Sequence, residues 1–203
     1  MKAINLAKWF LNTNPSLLGG YRDENTKLNK LLYFSNLMYC SLYGKTLIDE
    51  DFEKWDNGPV IREIYKEYRY NKLSNKKFLN VEIDDRDALK ILQIINLIYG
   101  DMKGSELSDE SHKSSIWQEA ERNQKINFYN IDPSEKKFMR NLFDSYSKFD
   151  FNSFCTEKIN GNKYFYDKNN LTMTEELICD LEKMPFKPEP IFIELIDGEV
   201  VFS

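Results

Sequence analysis

Apolar residues recur at helical spacing along most of the chain. They predict a short first helix that ends before Pro15 and a longer second helix from about Asn25 to Gly44. A third helix is predicted to open at Pro59, after the break at Gly58. A fourth, over residues 87–99, is apolar at almost every position, which is typical of a helix in the middle of a core. The apolar positions of the first three segments are Ala3, Ile4, Ala7, Phe10 and Leu11, then Leu28, Leu31, Leu32, Met38, Tyr39 and Leu42, then Val60, Ile61, Ile64, Tyr65 and Tyr68.

Turn and capping signals place the later helices. A polar stretch over residues 105–115 precedes a short amphipathic piece around Trp117. Asp132-Pro133-Ser134-Glu135 combines an N-cap residue, a proline at the first helical position and an acid, so a helix starts there. Thr172-Met173-Thr174-Glu175 repeats this pattern before another helix, which Pro185 stops. The predicted core face of the helix after Asp132 is Phe138, Leu142, Phe143, Tyr146 and Phe149.

The end of the chain has the pattern of β-strands. Residues 191–196 and 199–202 are apolar and β-prone on either side of Asp197-Gly198, a strong hairpin signal. A smaller hairpin is predicted over residues 158–166, around Asn160-Gly161-Asn162. We therefore predict a mainly α fold, with a compact helical domain at 1–125 and a mixed α/β extension at 126–203 that ends in a β-hairpin.

Composition narrows the function by exclusion. The 203 residues are enough to bury a core, and 41% hydrophobic with 30% charged residues exclude general disorder. Lys plus Arg number 28 against 33 Asp plus Glu, a net charge of -5. No global positive field therefore recruits nucleic acid, and a basic partner is favoured.

Cysteines and hydropathy indicate the compartment. Cys40, Cys155 and Cys179 are odd in number and widely spaced, so they form neither a disulfide framework nor a zinc motif. Residues 1–20 lack the apolar run of a signal peptide, and no later stretch approaches the roughly 20 apolar residues that cross a bilayer. We expect a cytoplasmic protein with no membrane partner.

The sequence offers little catalytic chemistry. His112 is its one histidine, and Asp109 at i, i+3 could share a metal with it if the segment were helical. A hydrogen-bonded structural histidine is the favoured reading. Glycine-rich phosphate-binding motifs do not occur. We predict no catalytic residue, metal or cofactor, and keep as the alternative an unrecognised enzyme that uses His112 with nearby carboxylates.

One helix face is basic. Arg62, Lys66 and Arg69 share a face of the third helix and could contact phosphates. Glu63 and Glu67 lie beside them at helical neighbour spacing. The default expectation is a solvated face with salt bridges along the helix.

Four motifs occur in order along the first 120 residues. The first is Lys27-Leu28-Asn29-Lys30-Leu31-Leu32-Tyr33-Phe34 with Leu42-Tyr43-Gly44-Lys45 and Leu47. The second is the turn Trp55-Asp56-Asn57-Gly58-Pro59-Val60, and the third is Ile64-Tyr65-Lys66-Glu67-Tyr68. The last combines Tyr99-Gly100, Glu106-Leu107-Ser108, His112 and Ile116-Trp117-Gln118-Glu119-Ala120. Together they resemble the Panacea domain of SocA-like antitoxins from bacterial and phage toxin–antitoxin systems, and the resemblance ends near residue 125.

The resemblance implies a function as well as a fold. It implies a phage-associated or prophage-associated antitoxin that binds and neutralises a cognate protein toxin encoded by a neighbouring gene. A proteolytic adaptor, which delivers its bound partner to a protease, is an alternative. The candidate partner-binding residues include the three of the basic helix face. They are Trp55, Arg62, Lys66, Arg69, His112 and Trp117. The residues expected to hold the motif structure are Lys27, Leu31, Tyr33, Gly58 and Pro59. For the two tryptophans the competing reading is a core anchor, and for the histidine it is a capping or bridging side chain.

Overall fold

The chain divides into two compact units, Met1–Ser147 and Lys148–Ser203. Helices dominate the first unit, and the second carries a four-stranded sheet that ends in a hairpin, so the predicted mainly α fold class is confirmed. A boundary at residue 125 stays a prediction about where the family-like domain ends. The computed structural model describes residues 1–71, 73–75, 81–187, 191–196 and 198–202.

The first unit is organised around its longest helix. This helix, α2, packs against five other α-helices and a short antiparallel hairpin. In the described part of the unit the elements are α1 (Ala3–Thr13), α2 (Arg22–Tyr43), β1 (Glu53–Trp55), β2 (Gly58–Val60), α3 (Arg62–Tyr70), α4 (Arg86–Tyr99), α5 (Gly104–His112), α6 (Ser115–Glu119) and α7 (Pro133–Tyr146).

Polar side chains of α2 are buried together with its leucines. Asn36 is 1% exposed, and its Oδ1 accepts hydrogen bonds from the backbone N–H groups of Leu47 (2.9 Å) and Ile48 (3.0 Å). Asn29 Oδ1 accepts from the N–H of Ile61 at 3.0 Å. Buried polar groups need such partners, so these asparagines fix the loop after α2 and the approach to α3.

Replacing Asn36 by alanine should lower the free energy of unfolding by about 2–4 kcal/mol, because two buried N–H groups lose their acceptor. Urea denaturation measures this loss. Asn71→Ala is the matched control, since Asn71 is exposed and its side-chain amide donates to Glu67 Oε1 at 2.6 Å. The control should change stability by no more than about 0.5 kcal/mol. Equal losses in the two variants would contradict the role given to Asn36.

The segment around the Gly58-Pro59 pair differs from its prediction. Pro59 does not open a helix: it lies in β2, where Glu53 pairs with Val60 and Trp55 with Gly58. Helix α3 begins only at Arg62, so Val60 and Ile61 precede it. The reason is tertiary, since Asn29 holds the Ile61 N–H while that residue is extended.

Two helices also correct the sequence reading. Much of the polar stretch 105–115 is helical, as α5, whose first N–H groups donate to the Asp23 carboxylate from Gly104 (2.8 Å) and Ser105 (3.2 Å). In α7 the buried residue is Met139, at 3% exposure, whereas Phe138 is 56% exposed. The prediction that Phe138 belongs to the core face was therefore wrong, and the next residue, Met139, is buried in its place.

The second unit is a mixed sheet. Strand order is β3-β4-β5-β6, with β4 and β5 parallel and the two outer pairs antiparallel. Both predicted hairpins are confirmed, while Asp197 lies outside the described residues. The elements are β3 (Phe154–Ile159), β4 (Asn162–Asp167), α8 (Glu175–Glu182), β5 (Ile191–Ile196) and β6 (Glu199–Phe202). The buried cluster of this unit, to which α8 contributes Leu181, is Tyr164, Tyr166, Leu171, Leu181, Ile191 and Ile193.

Candidate functional site

The Gly58-Pro59 turn rests directly on α2. Gly58 has φ +89°, and a Cβ at this position would lie 2.5 Å from Lys30 Cε and in collision with Ser111 Oγ. Lys30 is completely buried, and its Nζ donates to the Pro59 carbonyl oxygen at 3.0 Å. Burial lowers the pKa of Lys30 to about 7, because the charged form loses its hydration. The turn thus covers a lysine that is only partly protonated at neutral pH.

Trp55 belongs to a charged cluster on one side of the hairpin. Its indole Nε1 donates to Glu53 Oε2 at 2.9 Å, and its ring centroid lies 5.1 Å from that of Tyr65. Arg62 pairs with Glu53 through two hydrogen bonds of 3.0 and 2.6 Å and lies over the Trp55 ring at 5.4 Å. The hydrogen bond from Arg62 holds the pKa of Glu53 below its ordinary value.

The basic face of α3 is therefore different from its prediction. Arg62 pairs with Glu53 of the hairpin rather than along its own helix, because β1 presents both carboxylate oxygens to the guanidinium. Among the described residues no ion pair joins Lys66 or Arg69 to an acid of α3. Both are exposed, so two cations of this face remain available to a partner.

His112 and Trp117 stack on the opposite side of the hairpin. Their ring centroids are 4.0 Å apart at an interplanar angle of 23°, and Lys54 Nζ lies 4.4 Å from the Trp117 centroid. Lys54 also donates to the carbonyls of Gln118 (3.0 Å) and Ala120 (2.9 Å). This stack ties α5, α6 and β1 together.

The chemistry around His112 is that of a neutral imidazole. Burial, followed by the charge of Lys30, lowers the pKa of His112. His112 Nε2 and Trp117 Nε1 are buried without a hydrogen-bond partner in the described structure. Asp109 acts only to raise this pKa, and no hydrogen bond joins it to the imidazole among the described residues. The segment is helical, yet no group of three or more His, Cys, Asp or Glu that could hold a metal ion is found in the described chain.

Three residues of the first motif were expected to hold its structure, and all three lie in the interior. Lys27 is 5% exposed and its Nζ donates to Ser16 Oγ at 2.7 Å. Leu31 and Tyr33 are completely buried, and the Tyr33 hydroxyl donates to Ser114 Oγ at 2.6 Å. Burial raises the pKa of Tyr33.

Two neighbouring cavities open beside the turn, and we call them together the Arg22 cleft. The first, of about 290 Å³, lies between α2, the hairpin and α3, and the second, of about 420 Å³, lies between α2 and α5. Arg22, Thr26 and Asn57 line both. The other residues of the first cavity are Asn29, Lys30, Trp55, Asp56, Val60, Tyr65 and Asn123, and those of the second are Asp23, Ser105, Ser108, Asp109 and His112.

The cleft brings together only part of the predicted site. Trp55 lines one cavity and His112 the other, whereas Arg62, Lys66, Arg69 and Trp117 line neither. Arg22, Asn57 and Lys30 were not predicted as site residues. Lys30 and Asn57 stand inside the recognised motifs, and that position was the signal from which they could have been predicted.

One part of the chain is similar to a known protein family. Residues 28–118 match the family described as Antitoxin SocA-like, Panacea domain. This segment of the chain is similar to the Panacea domain. No curated protein and no solved structure gives a significant match. The resemblance drawn from the four motifs is thus confirmed over these residues.

The matched range contains most of the geometry described above. Lys30, the Trp55 cluster, the Gly58-Pro59 turn and the His112 stack all fall inside the matched range. Arg22 and Lys27 precede it. None of the described helices is both long and apolar enough to span a membrane.

Proposed function

We propose that this protein is an antitoxin that binds and neutralises a protein toxin encoded by a neighbouring gene. The match of residues 28–118 to the SocA-like Panacea domain is the observation that carries this proposal.

The contact surface that we propose combines α3 with the adjoining hairpin. Lys66 and Arg69 supply exposed cations, and Trp55 supplies a half-buried aromatic ring beside them. Aromatic and arginine side chains are the usual anchors of protein interfaces. Arg62 is a less suitable probe of this surface, since its replacement would also break the Glu53 ion pair.

The enzyme alternative has weaker support. A general base needs a poised proton acceptor beside the reacting group, but the His112 imidazole is stacked on Trp117 and its Nε2 is buried. Turnover by the purified protein alone, lost in His112→Ala, would favour the enzyme. A proteolytic adaptor would instead make the bound toxin disappear from cells, whereas masking would leave its amount unchanged.

Co-expression with the neighbouring toxin should restore growth, and the two proteins should co-purify as a defined complex. Lys66→Glu should weaken the complex about tenfold or more, because it reverses a charge at the proposed surface. Lys137→Glu is the matched control, since Lys137 is an exposed lysine of α7. Isothermal titration calorimetry measures both affinities.

The wild-type protein decides the assignment. If it neither binds nor rescues growth against the toxic neighbours tested, the antitoxin proposal is wrong. If both charge reversals weaken the affinity for the toxin equally, the toxin binds at another surface. That result would refute the proposed α3 surface but not the antitoxin proposal.

A further inference from the structure

The first cavity of the Arg22 cleft holds an exposed guanidinium, that of Arg22, which no carboxylate of the described residues neutralises. Arg22 is exposed and lines both cavities, and among the described residues no acid forms an ion pair with it. Lys30, on the same cavity, is buried and its described hydrogen bond is the one to the Pro59 carbonyl. The acid of this cavity, Asp56, is already paired with Arg122 at 2.6 Å. The cavity is thus locally basic in an acidic protein.

The remaining walls suit a short hydrocarbon stem and a planar polar head. Trp55 and Tyr65 contribute aromatic surface, and Asn57 and Asn123 contribute exposed amides. A volume of about 290 Å³ is at the lower end of small-molecule sites, so the occupant is the size of a side chain. A guanidinium can hold a carboxylate with two parallel hydrogen bonds.

We propose that the cavity lined by Arg22, Lys30 and Trp55 binds a carboxylate of the toxin, presented on an acidic side chain or at its C-terminus. The carboxylate pairs with Arg22, and its stem lies against Trp55. This inference rests on the proposed function, because the toxin supplies the ligand. A phosphate is disfavoured, since its second charge would face Asp56 within a chain of net charge -5.

The site is tested first without the toxin. N-acetyl-L-glutamate should shift the backbone amide signal of Asn57 and the indole signal of Trp55 in a saturable way in ¹H–¹⁵N NMR spectra of the full chain. N-acetyl-L-glutamine, which lacks the charge, should bind at least about tenfold more weakly. Inorganic phosphate is the third probe. Equal binding of glutamine, or tighter binding of phosphate, would overturn the carboxylate assignment.

The residue assignment is tested by charge reversal. Arg22→Glu should weaken N-acetyl-L-glutamate binding about tenfold or more, whereas Arg86→Glu should leave it unchanged. Arg86 is an exposed arginine outside the cleft and, like Arg22 in α2, is the first residue of its helix, α4. Unperturbed spectra elsewhere in Arg22→Glu would show that the variant is folded. Retained binding in Arg22→Glu would overturn the site.

The same Arg22→Glu variant is then measured against the neighbouring toxin. An affinity reduced about tenfold or more supports the proposal. If the variant loses the small probe but binds the toxin normally, the carboxylate does not come from the toxin and the proposal is wrong. If the wild type binds the probe but no toxin, the proposed function has failed, and with it the toxin as the source of the ligand.

Discussion

Replacing Gly58 by alanine should destabilise the first unit by about 3 kcal/mol or more, because two independent costs add at this position. The backbone has φ +89°, which costs an L-residue about 1–2 kcal/mol. The new Cβ would also collide with Ser111 Oγ and lie 2.5 Å from Lys30 Cε, and overpacking of this kind costs about 1–3 kcal/mol. Urea denaturation followed by circular dichroism measures the loss.

Gly44→Ala is the matched control for this substitution. Gly44 also has a positive φ, of +69°, at the end of α2, but a Cβ there meets nothing within 4 Å. Its loss should therefore be the backbone cost alone, about 1–2 kcal/mol. Losses of the same size at the two glycines would show that the turn does not press on Lys30 and Ser111 as the structure indicates.

Local signals were sufficient for much of the fold. Helix α7 begins where its N-cap Asp132 and first-turn Pro133 predicted, and α2 ends at the left-handed Gly44. The hairpin β5–β6 follows from apolar, β-prone runs on either side of the sequence Asp197-Gly198. In each case the residues that decide the structure are neighbours in sequence.

Elements that depend on distant residues were missed. Helix α5 buries Gly104, Leu107, Ser108 and Ser111, so it lacks an apolar stripe, and its first N–H groups are satisfied by Asp23 of α2. The hairpin β1–β2 has strands of three residues, too short for a clear alternation. Tertiary contacts, which no local pattern reports, decide both.

The residues of the candidate site also divide into those that the sequence predicted and those that it did not. Trp55, Gly58, Pro59 and His112 were found because they stand in motifs. Arg22 and Lys30 were passed over because a charged residue in a helix is ordinarily solvated, and only the turn placed over Lys30 shows that it is buried. The partner of Arg62 was missed for the same reason, since Glu53 lies nine positions away and outside the helix.

Lys30 makes stability depend on pH in a defined window. Its pKa in the folded protein is about 7, below the ordinary value of 10.5. Between these two values the unfolded chain binds more protons than the folded one, so this residue makes the free energy of unfolding rise as pH rises. Below pH 7 both states are protonated and the cost of burying the charge is constant. The lowered pKa of His112 lies below 6.5 and therefore outside the window.

Lys30→Met should consequently raise the free energy of unfolding at pH 7 by about 1–3 kcal/mol, because an unbranched apolar side chain fills the same space without a charge to desolvate. The gain is smaller than the full desolvation cost, since the Pro59 carbonyl loses its donor. By about pH 10 the lysine is neutral in the folded state, so the gain should vanish or reverse.

Urea denaturation of both proteins from pH 6 to 10 measures the difference in the free energy of unfolding, in which the contributions of the other titrating groups cancel. Lys66→Met, at an exposed lysine, should show a small difference that does not change with pH. The contrary result would be a Lys30→Met variant that is less stable than the wild type by the same amount at every pH. It would show that Lys30 is not a desolvated cation, and that its hydrogen bond to the turn outweighs the burial of its charge.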